Sequence, residues 1–276
     1  MPSINDFSPS ERIFALFISR SGDGKSAAAA SFPRPYLQLD YDGRFDGVFG
    51  ATTLNGGWLP PENIEYKRIF PKDGYSTTNK FLEEMDLYLT SRSEFPYKTI
   101  EIASLTNFLR AAVIESHKLT SGRMVGKLRM SGPDDYRFEI SALMQLVDYF
   151  QKFPCHVIFS AHVIDKWGKP KTGKKGEEYA SNEITGEKLL MRDQVGENIQ
   201  TFFSNIFRFS RELDNQENMK YYVEFNTDIA KNSFNVPPGR FDITRKNFYN
   251  FLQETIKKVK EGKPLFSEAE KGVFNL

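Results

Sequence analysis

Cysteine is all but missing. Cys155 is the only one in 276 residues, which excludes an internal disulfide and any metal site built from several thiolates. It lies beside an apolar run, the setting of a buried, inert thiol. Net charge is equally scarce, with 37 Lys and Arg against 36 Asp and Glu. No global field therefore draws the chain onto nucleic acid or anionic lipid, and such contact would need a local patch. No run of about 18 apolar residues occurs, so no membrane span is expected. Residues 1–12 carry charge and proline but no apolar stretch suited to a signal peptide, and the expected setting is cytoplasmic. Tryptophan is rare at 2 residues, whereas phenylalanine is abundant at 25, and aromatics in such numbers read as core. Hydrophobic residues at 39% and charged residues at 26% fit a globular protein with a real core. The length suits one large α/β domain spanning 1–276, with no internal repeat and no low-complexity tract.

Ile13–Ile18 reads IFALFI, a continuous apolar run of the kind a fully buried parallel strand shows. SRSGDGKS follows, then Ala27–Ala30, which favours a helix packed closely on a sheet. Pro33 and Pro35 end that helix, and Tyr36–Leu39 makes a second strand closing on Asp40 to Gly43. Strand, loop, helix and strand within about 30 residues make a βαβ unit. Residues 50–63, rich in Gly, Pro and Asn, read as a loop. Further strands are expected at 64–69, 99–103, 156–161, 206–210 and 221–225. Helices are expected at 77–89, 105–117, 136–153, 195–203 and 248–260. Residues 122–133 read as a basic loop, and 165–182 as a mobile one. The core occupies about 12–250, and 246–276 form a closing helix and tail.

The strongest motif is Ser19-Arg20-Ser21-Gly22-Asp23-Gly24-Lys25-Ser26. It follows the phosphate-binding pattern G-x4-G-K-[ST], set between a buried strand and a helix. Gly22 and Gly24 let the backbone curl so that the amides of Ser21 to Ala27 turn toward phosphate oxygens. Lys25 would reach the β- and γ-phosphates and the Ser26 hydroxyl would ligate Mg²⁺, which makes ATP with magnesium the expected ligand. Ser19 departs from the pattern's first glycine, a turn that serine can make at modest cost.

Such sites usually carry an acid at the end of a neighbouring buried strand. On Thr99–Ala103 that position is Ala103 and has no carboxylate. Glu101, two residues earlier and on the same side, either reaches along the strand to serve the metal or pairs with a basic neighbour. Asp40 and Asp42 stand at the C-terminal rim, where open α/β sheets bind ligands. One of them orients the attacking water or supports the metal, or both merely shape a turn with Gly43. His162 follows the strand HVIFSA at the same rim and is either a γ-phosphate sensor or structural.

With these pieces in order, the chain resembles the RecA-like P-loop ATPases of phages, the AAA-type nucleotide-binding proteins that include single-strand-annealing ATPases. The matching segments are FALFISRSGDGKS, YLQLDYDG, KTIEIASLT, HVIFSAHV and AKNSFNVPPGRFDITRKNF, spanning about 12–250. The resemblance implies a mostly parallel sheet flanked by helices, with a C-terminal antiparallel extension. It implies ATP hydrolysis linked to DNA and, for a phage protein, the host cytoplasm. It also implies a ring or filament of identical subunits with the nucleotide between them, completed by a basic residue in trans. Lys231 is the candidate for that role and Arg240 the second. Lys166, Lys169, Lys171, Lys174 and Lys175 fall where such proteins carry a DNA-contacting loop, with Trp167 and Tyr179 available to stack on bases. A solvated loop is the alternative there. The missing acid at 103 leaves a non-hydrolysing nucleotide-dependent assembly module as the second reading, and a small-molecule kinase as the third.

Overall fold

The computed structural model describes residues 12–43, 62–70, 72–91, 94–119, 121–122, 124–125, 128–168, 171–172, 178–179, 184–227 and 229–265. Most of the expected loop 50–63 lies outside the described residues.

A nine-stranded sheet organises the chain. Its parallel part runs β3 (Ile64–Arg68), β2 (Tyr36–Asp40), β4 (Thr99–Ala103), β7 (His156–Trp167), β1 (Phe14–Ser19) and β11 (Asn205–Leu213). β12 (Met219–Phe225) and β13 (Gly239–Asp242) extend it antiparallel beyond β11. β10 (Ile184–Leu189) pairs antiparallel with the far half of β7. The strand order, with β7 inserted between β1 and β4, is the helix-flanked, mostly parallel sheet expected of a RecA-like P-loop fold, including its antiparallel extension. Two short hairpins stand apart: β5 (Met124–Val125) with β6 (Leu128–Arg129), and β8 (Lys171–Thr172) with β9 (Glu178–Tyr179).

Both faces of the sheet are covered, so its central strands are apolar throughout rather than alternating. One face carries α2 (Gly74–Ser91), α3 (Leu105–Leu119), α4 (Pro133–Phe150) and α5 (Asp193–Phe202) over Leu16, Ile18, Leu39, Ile102, Phe159 and Ala161. The other carries α1 (Lys25–Ala30) and α6 (Phe248–Lys260) over Ala15, Phe17, Ile158, Phe207 and Phe209. Side chains alternate between faces along each strand, so β1 sends Phe17 to one core and Leu16 and Ile18 to the other. Most of the described phenylalanines fill these cores. Phe17 packs against Phe32, Phe207, Phe209 and Phe248 with ring centroids 5.0–6.0 Å apart, and removing such a buried ring costs about 3–5 kcal/mol. Cys155 is buried, and burial pushes its thiol up to about 12.

Two expected loops are partly strand. The strand expected to stop at Ala161 continues to Trp167, because Val163 to Trp167 gain hydrogen-bonding partners on β10, from Leu189 back to Ile184. The basic segment 122–133 includes the paired strands β5 and β6. Among the described residues, no helix is long and apolar enough to cross a membrane.

Candidate nucleotide-binding site

Ser19 ends β1 at the C-terminal edge of the parallel strands, and the loop bends there before α1 begins at Lys25. Gly22 and Gly24 both have φ of +87°, a left-handed backbone that glycine adopts without a Cβ penalty. Ser19 is not at positive φ, so this loop does not need a glycine there. Its hydroxyl donates to the Arg20 carbonyl at 2.7 Å. Asp23 pins the loop from within by accepting the Arg20 N–H at 3.2 Å, and its Oδ1 lies 3.4 Å from Arg211 Nε. Burial raises the Asp23 pKa, with the Arg20 amide and the cations of Arg211, Lys25 and Arg20 opposing. Ser21 and Gly22 face solvent, while Ser26 and Ala27 are half-buried in the first turn of α1.

Lys25 is 7% exposed, and its Nζ lies 3.3 Å from His162 Nδ1. His162 Nε2 in turn lies 3.0 Å from Asp42 Oδ2. The register explains the meeting, because Ser19 of β1 stands directly beside His162 of β7. An ammonium only donates hydrogen bonds. His162 Nδ1 therefore accepts from Lys25, and the ring proton sits on Nε2 facing the carboxylate. Asp42 Oδ1 accepts from Ser104 Oγ and Asn107 Nδ2, both at 2.6 Å. Burial alone would raise the Asp42 pKa, but the bonds from His162, Ser104 and Asn107 outweigh it and hold the carboxyl at about 2. Asp42 is thus bonded to the residue that follows Ala103, so a carboxylate stands across the end of β4, where β4 itself carries none.

The other two carboxylates are placed differently. Glu101 is fully buried, and one of its oxygens accepts from Tyr36 and from Gln38 Nε2, the latter at 3.0 Å. Both partners belong to β2, where Gln38 is Glu101's register neighbour. Burial raises the Glu101 pKa to about 8, with the Tyr36 bond and the Lys25 charge opposing it. The expected reach along β4 to a metal is not what the structure contains: the side chain is turned sideways into β2. Asp40 is also engaged. Its Oδ1 accepts the amides of Asp42 and Gly43 at 2.8 and 2.9 Å, and its Oδ2 accepts from Tyr66 at 2.7 Å. It shapes the turn that presents Asp42.

Among the described residues, no group of three or more His, Cys, Asp or Glu could hold a metal ion. That still suits Mg²⁺, which keeps several waters and binds through few protein oxygens plus substrate phosphates rather than in an all-protein cage. Ser26, half-buried next to Lys25, has a hydroxyl that could supply one such oxygen.

The remaining candidates lie apart from this cluster. Lys231 forms an isolated bridge with Ile206, at the level of Leu16, roughly 10 Å back along β1 from Ser19. Arg240 pairs with Glu212 at 2.9 and 3.0 Å and lies over the Tyr222 ring. Lys166 and Trp167 are exposed at the end of β7, Lys171 is in β8 and Tyr179 in β9. Lys169, Lys174 and Lys175 lie outside the described residues. Sequence reasoning missed four residues of the site. Ser104 and Asn107, one helical turn apart at the start of α3, left a readable signal. Arg211 and Tyr221, which cover the loop from β11 and β12, required the hairpin register.

A glycine-bent loop leaving a buried parallel strand, with its lysine at the C-terminal rim of a helix-flanked and mostly parallel sheet, is the arrangement of a P-loop α/β fold. No family model and no curated protein matches the chain. Among solved structures, the flagellar accessory protein FlaH of Methanocaldococcus jannaschii is similar over 83% of this chain and 88% of its own, at 11% identity and a TM-score of 0.40. An ATPase from the type III secretion system of pathogenic bacteria is similar over 74% of this chain, at 11% identity and a TM-score of 0.37. The alignment covers 52% of that ATPase. Both likenesses are distant.

Proposed function

We propose that this chain binds ATP at the Ser19–Ser26 loop and hydrolyses its β–γ anhydride, with Lys25 on the β- and γ-phosphates and His162, backed by Asp42, as general base. The supporting observation is the continuous polar chain Lys25–His162–Asp42 at the rim. When phosphate draws Lys25 away, His162 Nδ1 becomes a vacant acceptor beside the γ-phosphate. The oxygen of a water attacks the γ-phosphorus, the bond to the bridging oxygen breaks with its electron pair leaving on ADP, and the water proton passes to Nδ1. Asp42 holds the ring's tautomer and balances the imidazolium charge, as a carboxylate behind a catalytic histidine does. Ser26 would hold Mg²⁺, which when bound supplies neutralisation of phosphate charge.

The test is phosphate release from magnesium-ATP. Wild type should turn over, Lys25→Ala should not, and His162→Ala should lose roughly 10²–10⁴-fold in kcat while still binding ATP. Wild type that binds ATP but releases no phosphate would support the assembly-module reading instead, and phosphate transferred to a nucleoside would support a kinase.

The finer part of the proposal is that turnover responds to single-stranded DNA held on the β7–β10 arm. His162 and the exposed Lys166 and Trp167 lie on the same strand. Arg20 of the loop also bonds Asp165 on β7, and Glu187 on β10 at 3.1 Å, so arm and loop are mechanically joined. Turnover unchanged by single-stranded DNA would remove this part alone. A trans role for Lys231 in a ring or filament belongs to the same proposal, and mass measured with and without ATP tests it.

A further inference from the structure

Resting on the ATP reading, the geometry points to a nucleoside subsite on the β11–β12 hairpin, with Tyr221 as the platform for the base and Arg211 as a contact for the inner phosphates. Three observations carry it. The first is the polarity of the site. β1 has β7 on one side and β11 on the other, and the γ-phosphate end is marked on the β7 side by His162 and Asp42. A triphosphate laid across the loop from that end delivers its nucleoside to the opposite side, toward β11 and β12.

The second is what stands there. Arg211 and Tyr221 are direct cross-strand partners and lie on the same face of the hairpin, the face that packs with α1 and α6. The Arg211 guanidinium comes so close to Gly22 that a Cβ at residue 22 would lie 3.1–3.2 Å from it. A Cβ on Gly24 would lie 3.0 Å from a carbon of the Tyr221 ring. The pair therefore lies against the two glycines whose left-handed turns shape the loop.

The third is that both side chains are accessible, although Arg211 Nε also lies 3.4 Å from Asp23 Oδ1. Tyr221 is half-buried and Arg211 is exposed. The Tyr221 backbone is fixed on both sides, its N–H donating to Thr244 Oγ1 at 2.8 Å and its carbonyl accepting from Ile243 N at 2.9 Å. A half-open aromatic ring on a fixed backbone is the arrangement on which a flat base stacks, and a guanidinium suits a phosphate.

The experiment compares ATP with inorganic tripolyphosphate, which has the phosphates but no base, by equilibrium binding to the full chain. Tyr221→Ala should weaken ATP roughly 5- to 150-fold and leave tripolyphosphate unchanged, with the second ligand also reporting that the loop is folded. Tyr221→Phe should bind ATP like wild type. Arg211→Ala should weaken both ligands. Unchanged ATP affinity in Tyr221→Ala, or an equal loss for both ligands, would overturn the base platform while leaving the ATP reading intact. Unchanged affinities in Arg211→Ala would overturn the phosphate contact. Wild type that binds neither ligand would end the ATP reading and this subsite with it.

Discussion

Replacing Asp42 by asparagine perturbs the polar chain at its most connected point. The carboxylate accepts from Ser104, Asn107 and His162 at 2.6, 2.6 and 3.0 Å, and these bonds hold it at about 2 against an ordinary 3.8. A depressed carboxyl contributes stability above its unfolded value, and that contribution is lost as the pH falls from about 4 toward 2. The gap corresponds to about 2 kcal/mol at neutral pH, and with the side chain 12% exposed little of it is screened away. An asparagine keeps one acceptor but turns an amide NH₂ toward a group that also donates, adding about 1 kcal/mol or more. Asp42→Asn should therefore unfold in urea with a deficit of about 2–4 kcal/mol at pH 7, read by tryptophan fluorescence. The deficit should shrink as the pH falls below 4, where wild type loses the same charge. Equal stability at pH 7, or a deficit that does not change with pH, would refute the bonding pattern.

His156 should report on acidification. Its Nδ1 accepts the Ile13 N–H at 3.1 Å, and burial, aided by Arg12, lowers its pKa to about 4. The folded state resists a proton that the unfolded state takes up, so stability should fall from about pH 6.5 to 4 by roughly 2–3 kcal/mol. His156→Asn, which keeps an acceptor, should lose that slope in urea titrations. Glu101 has the opposite sign: with its pKa raised to about 8, stability should fall as the pH rises from about 4.5 toward 8. Denaturation curves of Glu101→Gln should lack that fall. Gly24→Ala should cost about 1–2 kcal/mol for the left-handed backbone, more for the contact with Tyr221, and should weaken ATP binding in a titration.

The sheet was largely readable because its central strands are short apolar runs bounded by Gly, Pro and Asp. The helix at Phe248–Lys260 has the expected bounds for the same reason, its apolar positions repeating at three and four. The continuation of β7 was hidden because Asp165 and Lys166 break the apolar run, and the segment is held by β10, a partner that local sequence does not announce. At the site, the loop glycines and Lys25 were legible as a local motif, and so was the absence of an acid at Ala103. Asp42 was legible as a carboxylate at the rim, but its place across the end of β4 was not. Asp42 meets Ser104 and His162 only through the parallel order β2–β4–β7, a contact across 62 and 120 residues of chain. The direction of the Glu101 carboxyl was hidden for a related reason: its neighbour Gln38 and the buried Tyr36, both on β2, decide where it points.

The most direct measurement is calorimetric titration of the full chain with ATP and magnesium, alongside Lys25→Ala. Saturable heat with wild type and none with the variant is the expected result. No heat from wild type, or the same heat from both proteins, would contradict a loop built to hold a polyphosphate.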